Sequence, residues 1–79
     1  MALYDVAMIL TAVLTPAEEG GYVALNPETG TASQGETVDE ALANLKEATE
    51  LYLEEFPLTV GSQTWVTTFE VSSAQAAAN

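Results

Sequence analysis

The chain contains no cysteine and no histidine, and Lys46 is its single basic residue. The absence of thiol and imidazole removes the disulfide, the thiolate nucleophile and the usual general base at neutral pH. A serine or threonine nucleophile would still need a neighbouring base, and Lys46 is the one amine side chain that could serve. We therefore predict that the chain is not an enzyme and that it has no catalytic, cofactor-binding or metal-binding residues.

Positive charge is almost absent, because 12 aspartates and glutamates oppose Lys46 and give a formal net charge of -11. DNA, RNA and anionic membranes are bound largely through lysine and arginine, so the field of this chain repels them. We predict no direct nucleic-acid binding and no membrane binding. A basic protein is attracted instead, and a basic nucleic-acid-binding protein is the obvious candidate partner.

Long hydrophobic runs are also lacking. The apolar stretch at residues 6–14 is far shorter than the roughly 20 residues that a membrane helix requires. No lysine or arginine precedes it, as one would in a secretory signal, so we expect a cytoplasmic protein. The 79 residues can build one small core without a disulfide, which favours support from a homodimer or a larger oligomer.

Alternation of residue types predicts three strands in the first half of the chain. Residues 4–14 alternate with a period of two, and the second face of this strand is apolar enough for a neighbouring subunit to cover it. The segment at residues 16–21 combines a proline, two charged residues and paired glycines, which predicts a turn before a strand at residues 22–25. A second turn at residues 26–30 leads to a short third strand at residues 31–34.

A capping box formed by Thr37 and Glu40 predicts a helix that begins near residue 38. Nine apolar or small residues then recur at helical spacing, and Pro57 limits continuation, so the helix should end near residue 56. This apolar stripe consists of Val38, Ala41, Leu42, Leu45, Ala48, Thr49, Tyr52, Leu53 and Phe56.

A fourth strand is predicted at residues 64–71, where β-prone residues return. A strand–helix–strand connection is normally right-handed, which places the helix on one face of the sheet and the last strand parallel to the first. The predicted fold is therefore α+β in the order βββαβ, as one domain over residues 1–71 with a flexible tail at residues 72–79. One face of the fourth strand would carry Trp65, Thr67, Phe69 and Val71.

The predicted helix has an acidic face opposite its apolar stripe. None of its acidic residues is followed four residues later by lysine or arginine, and a leucine stands among them. Such a face either keeps the chain in solution or binds a basic partner. The candidate partner-binding residues are Glu40, Glu47, Glu50, Leu51 and Glu54 on the helix, with Glu18 and Glu19 of the first hairpin as a second patch.

Carboxylates alone can bind Mg²⁺ for phosphoryl chemistry, so a metal-dependent nuclease is the catalytic alternative. It would use Asp5, Glu47 and Glu70, which fall on predicted elements where a nuclease could place them. Carboxylates at strand ends are commonly solvated, and the sequence has no calcium-loop spacing. We therefore prefer the interpretation that Asp5 and Glu70 face solvent.

Three stretches in this order and spacing resemble the HicB-like antitoxin family. They are Glu-Glu-Gly-Gly-Tyr-Val-Ala at residues 18–24, Ser-Gln-Gly-Glu-Thr at residues 33–37, and Glu-Ala-Leu-Ala-Asn-Leu-Lys-Glu-Ala-Thr-Glu-Leu-Tyr-Leu at residues 40–53. The resemblance covers residues 4–71 and implies a partial RNase H-like fold, β-β-β-α-β, without the nuclease site. It also implies neutralisation of a HicA-like toxin, a small basic ribonuclease that cleaves messenger RNA, together with oligomerisation.

The chain departs from the family pattern in two places. Members often have Pro-Gly-Cys before the Gln-Gly turn, where this chain has Glu-Thr-Gly-Thr-Ala at residues 28–32, so we expect a local contact to differ. Many members also append a DNA-binding domain, whereas residues 72–79 are too short for one. We therefore do not expect operator binding by this chain.

Two hypotheses remain from the sequence. The first is an antitoxin-type protein whose acidic surface covers the RNA-binding or catalytic face of a basic toxin. The second is a stand-alone oligomerisation module of the same fold that has no toxin partner. The sequence does not decide which acidic patch, on the helix or on the hairpin, would contact a partner.

Overall fold

The computed structural model of the chain describes residues 8–58 and 64–74. Within these ranges the chain forms an antiparallel three-stranded sheet in the order β1-β2-β3, followed by one helix. The predicted α+β class and the order of the first four elements are confirmed. Their bounds are β1 (Val13–Pro16), β2 (Tyr22–Leu25), β3 (Ala32–Gly35) and α1 (Val38–Glu55).

Paired glycines build the turn between β1 and β2. Gly20 and Gly21 have φ angles of 105° and 78°, a region that residues with a Cβ rarely adopt. The N–H of Ala17 donates to the carbonyl of Gly21 at 2.9 Å and closes the turn. This closure sets the register, with Pro16 opposite Tyr22.

Helix α1 begins at the predicted capping box. Thr37 is extended, and its hydroxyl accepts a hydrogen bond from the N–H of Glu40 at 3.1 Å. The Glu40 carboxylate in turn accepts from the N–H of Glu36 at 2.5 Å, one residue earlier than in the standard box. The helix ends at Glu55, one residue before the predicted end, with Phe56 as its C-cap.

The core lies between α1 and the sheet, where the helix packs on β3 and β2. Its buried apolar residues are Ala24, Ala41 and Leu45, with Leu14 and Tyr22 packed against them. The small side chains of Ala24 and Ala41, both fully buried, allow the helix to approach the strands closely. Much of the predicted apolar stripe of the helix is left outside this core, including Phe56, which is exposed.

The first strand is shorter than predicted, and it lies later in the chain. Residues 4–7 fall outside the described residues, and residues 8–12 are not part of the ladder. Strand β2 ends at Leu25, so the backbone before β1 has no strand to pair with beyond that point. Side chains supply its hydrogen bonds instead. The N–H of Thr11 donates to a Glu28 carboxylate oxygen at 2.9 Å, and the Thr11 carbonyl accepts from the Asn26 amide at 2.8 Å.

The predicted fourth strand is wrong for this structure, because residues 64–71 form no ladder within the described chain. Trp65 and Phe69 remain 84% and 86% exposed, so the face that should pack on the sheet is solvated. Alternation supplies the propensity for a strand, but a strand also needs a partner to pair with. The partial RNase H-like arrangement is therefore not seen.

Two other predictions fall partly outside the described residues. The predicted linker after the helix includes residues 59–62, and the predicted tail includes residues 75–79; neither segment is described. The division into a domain at residues 1–71 and a flexible tail stays a prediction.

Candidate partner-binding surface

The outward face of α1 carries the predicted row of carboxylates. Ala41, Leu45 and Thr49 are buried and mark the inward side of the helix. With a rotation of about 100° per residue, Glu47 and Glu54 project on the opposite side, and both are exposed. Glu40, Glu47 and Glu54 therefore line up along about 21 Å of helix.

Leu51 lies beside this row and is 60% exposed. The structure places it off the buried side of the helix, as the sequence pattern indicated. A large aliphatic side chain within a charged surface can dock into an apolar pocket of a partner while the surrounding carboxylates supply orientation. Its role in binding stays a prediction.

Glu50 has a partner that the sequence reasoning missed. Its carboxylate lies 2.9 Å from the Nζ of Lys46, and this hydrogen bond raises the pKa of Lys46. In this pair the base precedes the acid by four residues, so the pattern of an acid followed four residues later by a base does not reveal it. Because both side chains are exposed, the pair adds little stability, and Glu50 can exchange Lys46 for a cation of a partner.

The second patch, Glu18 and Glu19, lies at the tip of the β1–β2 hairpin and is exposed. This tip is at the same end of the domain as the start of α1. A Cβ built on Gly21 would lie 2.6 Å from the Gly35 carbonyl, and one built on Gly35 would lie 2.5 Å from the backbone nitrogen of Ala41. The structure therefore brings Glu18 and Glu19 to the end of the helix that carries Glu40, and far from Glu54.

A buried polar network around Asn26 is a feature that the sequence reasoning did not find. Asn26 is 1% exposed, and its amide donates to the Thr11 carbonyl at 2.8 Å and to the Glu28 carboxylate at 2.5 Å. Its carbonyl oxygen accepts from the N–H of Thr29 at 3.0 Å and from the Thr29 hydroxyl. The network ties residues before β1 to the turn after β2, so it positions structure and is not itself a site.

The Glu28 carboxylate is held in its charged form by this network. The N–H and the hydroxyl of Thr11 donate to it at 2.9 Å and 2.7 Å. These two bonds, with further ones from Asn26 and Thr64, lower its pKa from 4.5 to about 2. Glu28 is therefore a structural anion and is not among the acids free to meet a partner.

An open groove of 740 Å³ runs between α1 and the residues before β1. Met8, Leu10 and Ala12 form one wall, and Leu42 and Leu53 lie on the other. The groove is present because the helix packs on β2 and β3 and leaves the face beside β1 uncovered. Its lining is mainly apolar, and the charged side chains in it are Lys46 and Glu50, which pair with each other.

The described chain gives no sign of a metal centre. Within residues 8–58 and 64–74, no group of three or more acidic side chains is arranged to hold a metal ion. Glu47 lies on the outward face of α1, Glu70 is exposed, and Asp5 lies outside the described residues. In the same ranges, no helix combines the length and the apolar character needed to cross a membrane.

Two curated proteins are similar to the chain. It is 49% identical over 47 residues to a UPF0150 protein of Synechocystis sp., a match that covers 58% of this chain and 65% of that protein. It is also 49% identical over 47 residues to a UPF0150 protein of Helicobacter pylori, covering 58% of this chain and 64% of the relative.

The match thus spans less than two thirds of either relative's length. No protein-family profile matches the chain, and no solved structure matches it. The name UPF0150 states no activity. Both of these similar proteins carry the name UPF0150, which assigns this chain no substrate and no partner.

Proposed function

We propose that the chain is an antitoxin-type protein that binds and neutralises a small, basic, HicA-like ribonuclease that cleaves messenger RNA. In this proposal the chain works by covering the RNA-binding or catalytic face of the toxin, and it performs no catalysis itself. The single observation that carries the proposal is the exposed row of Glu40, Glu47 and Glu54 on a chain with one basic residue.

The electrostatic argument is one of competition. A ribonuclease must present positive charge to the phosphates of its substrate, and that same charge attracts an acidic surface. The carboxylates of α1 project from a capped helix, so only their side chains, and not the backbone that carries them, have to be ordered when a partner binds. Encounter is steered by the net charge of -11, and the encounter rate falls as salt screens that charge.

The apolar contribution comes from Leu51. Charge pairs at the rim of an interface chiefly set orientation and association rate, while a buried side chain near the centre contributes more to affinity. Leu51 is exposed and flanked by Glu47 and Glu54 on the same surface of the helix. It is the side chain that we expect to enter a pocket of the toxin.

The direct test is a calorimetric titration of the chain with a small basic HicA-like protein, which this proposal expects to be encoded beside the gene of the chain. Saturable binding at a fixed ratio, weakened by added salt, is the expected result. Cytochrome c serves as a control, because it is basic but unrelated and should bind weakly and without saturation. Equal binding to both proteins, or binding to neither, would contradict the proposal.

The oligomerisation module without a toxin partner is the second candidate function. It is favoured by one observation, the exposure of Trp65 and Phe69 on a segment that packs on nothing in the described chain. It predicts a stable oligomer of the isolated chain, no affinity for a HicA-like protein, and no small basic reading frame beside the gene. The titration above separates the two candidates.

A further inference from the structure

We infer that two copies of this chain associate by exchanging the segment at residues 64–71. The segment of each copy pairs with the free edge of β1 in the other copy and covers the neighbouring groove. This association uses the groove side of α1, which shares Glu50 but not Glu40, Glu47 or Glu54 with the acidic face, and it does not depend on the proposed function.

The first observation is the unpaired edge of β1. In the order β1-β2-β3, one side of β1 pairs with β2 and its other side has no strand partner within the described residues. Because Ala17 donates to Gly21, the alternate residues Val13 and Thr15 direct their backbone groups toward β2. Leu14 therefore presents its N–H and carbonyl at the free edge, which is a template for another strand.

The second observation is the mainly apolar groove beside the residues that directly precede β1. Met8, Leu10 and Ala12 line it on the side of β1, and Leu42 and Leu53 line it on the helix. A strand added at the edge of β1 would place alternate side chains over this groove. Because Ala12 lines the groove and directly precedes β1, an added strand that extends past the start of β1 would reach the groove and gain both backbone pairing and apolar burial.

The third observation is the segment that fits this surface. Glu28 accepts a side-chain hydrogen bond from Thr64, so the segment starts close to the sheet. It then leaves the sheet, and Trp65 and Phe69, two residues in the alternating pattern, are 84% and 86% exposed. Val66 and Val71 are also exposed, so this described segment lacks a core of its own.

The charge distribution permits two acidic chains to meet here. Residues 8–16 contain no charged side chain, and residues 64–71 contain only Glu70. The remaining carboxylates of the described sheet and helix lie on the hairpin, the turns and α1. The groove that the segment covers is also lined by Lys46 and Glu50, which pair with each other at 2.9 Å, so its lining carries no net charge to oppose association.

The area is sufficient for a stable dimer. A large aromatic side chain buries about 150 to 250 Å². In a reciprocal exchange the two tryptophans and two phenylalanines together remove on the order of 500 to 800 Å² from water, before the groove walls are counted. With an equal area covered on the grooves, the total reaches the range of about 1,200 to 2,000 Å² that is typical of specific interfaces.

The experiment is sedimentation of the full chain over a range of concentrations, read together with the emission of Trp65, its one tryptophan. We expect a dimer with blue-shifted emission, which dissociates on dilution into a monomer with red-shifted emission. A monomer at every concentration would overturn the inference. If the emission of that monomer were blue-shifted, the segment would be folding onto its own chain. A dimer whose tryptophan stays solvated would overturn it as well.

Variants locate the interface. Phe69→Ser should raise the dissociation constant of the dimer at least about tenfold. Because this variant retains Trp65, the emission of that residue still reports on association. Leu51→Ser is the matched control, because it removes an exposed apolar side chain from the other face of α1 and should leave the dimer unchanged. Circular dichroism confirms that both variants fold, and equal dissociation constants for both would overturn the inference.

Discussion

Gly35 lies so close to α1 that a Cβ built on it would stand 2.5 Å from the backbone nitrogen of Ala41. Two further backbone atoms of the helix, in Glu40 and Ala41, would lie at 2.8 Å and 2.9 Å. All three belong to a helix and cannot yield as a flexible side chain would. The contact fixes the distance between the end of β3 and the first turn of the helix that carries the acidic row.

Gly35→Ala should therefore destabilise the chain by about 3 kcal/mol, because the helix must shift away from the sheet to admit one methyl group. The measurement is urea unfolding followed by circular dichroism. Ala32→Ser is the control, since this exposed position in the same strand should change the free energy of unfolding by less than about 0.5 kcal/mol. Equal effects of the two substitutions would show that the close approach is not a real constraint.

Asn26→Ala should cost about 2 to 4 kcal/mol of unfolding free energy, because it leaves buried partners of the amide without hydrogen bonds. Asn44→Ala is the matched control. The Asn44 amide is exposed and donates one hydrogen bond, to the Gln34 carbonyl at 2.8 Å, so its loss should cost about 1 kcal/mol or less. If the two variants unfold at the same denaturant concentration, the network around Asn26 is not what joins residues 8–12 to the turn.

Acid should remove the contribution of Glu28 to stability. Its pKa is about 2 in the folded chain, below the ordinary value of 4.5, so between these values the unfolded chain binds more protons than the folded one. The contribution is therefore fully present above about pH 4.5 and is lost as the pH falls toward 2. The unfolding free energies of wild type and Glu28→Gln should converge over this interval.

The control for this acid prediction is Glu47→Gln, which removes one carboxylate from the exposed face of α1. The pH dependence of the unfolding free energy of Glu28→Gln reports on the hydrogen bonds around Glu28. That of Glu47→Gln reports on the general loss of repulsion among acidic side chains when one of them is removed. A difference between wild type and Glu28→Gln that stays constant from pH 6 to pH 2 would contradict the assignment of Glu28 as a structural anion.

Charge reversal should identify the acidic patch that meets the toxin. The double substitution Glu47→Lys with Glu54→Lys should slow association on the order of tenfold at low salt, and added salt should reduce the difference. Stopped-flow mixing measures the rate. The double substitution Glu18→Lys with Glu19→Lys changes the net charge equally and should have a smaller effect, whereas the reverse order would place the interface on the hairpin.

Local chemistry in the sequence predicted the elements that local contacts determine. The capping box of Thr37 and Glu40 and the glycine pair Gly20 and Gly21 each specify a backbone geometry within a few residues. The helix start and the β1–β2 turn were predicted from them and are confirmed. The outward position of Leu51 was likewise predictable from helical spacing, because it depends only on the period of the helix.

The missed features depend on partners distant in sequence. The first strand begins later than predicted because the N–H and the carbonyl of Thr11 form hydrogen bonds with the side chains of Glu28 and Asn26. They do not pair with a neighbouring strand. The alternation at residues 64–71 showed strand propensity but contained no information on what the segment pairs with. The Lys46–Glu50 pair, in contrast, is local, and its spacing of four residues makes it predictable from the sequence when the base stands before the acid.

The central claim is that this chain acts by occluding a basic ribonuclease, and inhibition of RNA cleavage tests it most directly. A fixed amount of the HicA-like protein is mixed with increasing amounts of the chain, and the cleavage of messenger RNA is measured. We predict that cleavage falls to background at a fixed molar ratio and returns when Glu47→Lys and Glu54→Lys are introduced. Cleavage that persists at full rate in a large excess of folded wild-type chain would contradict the account.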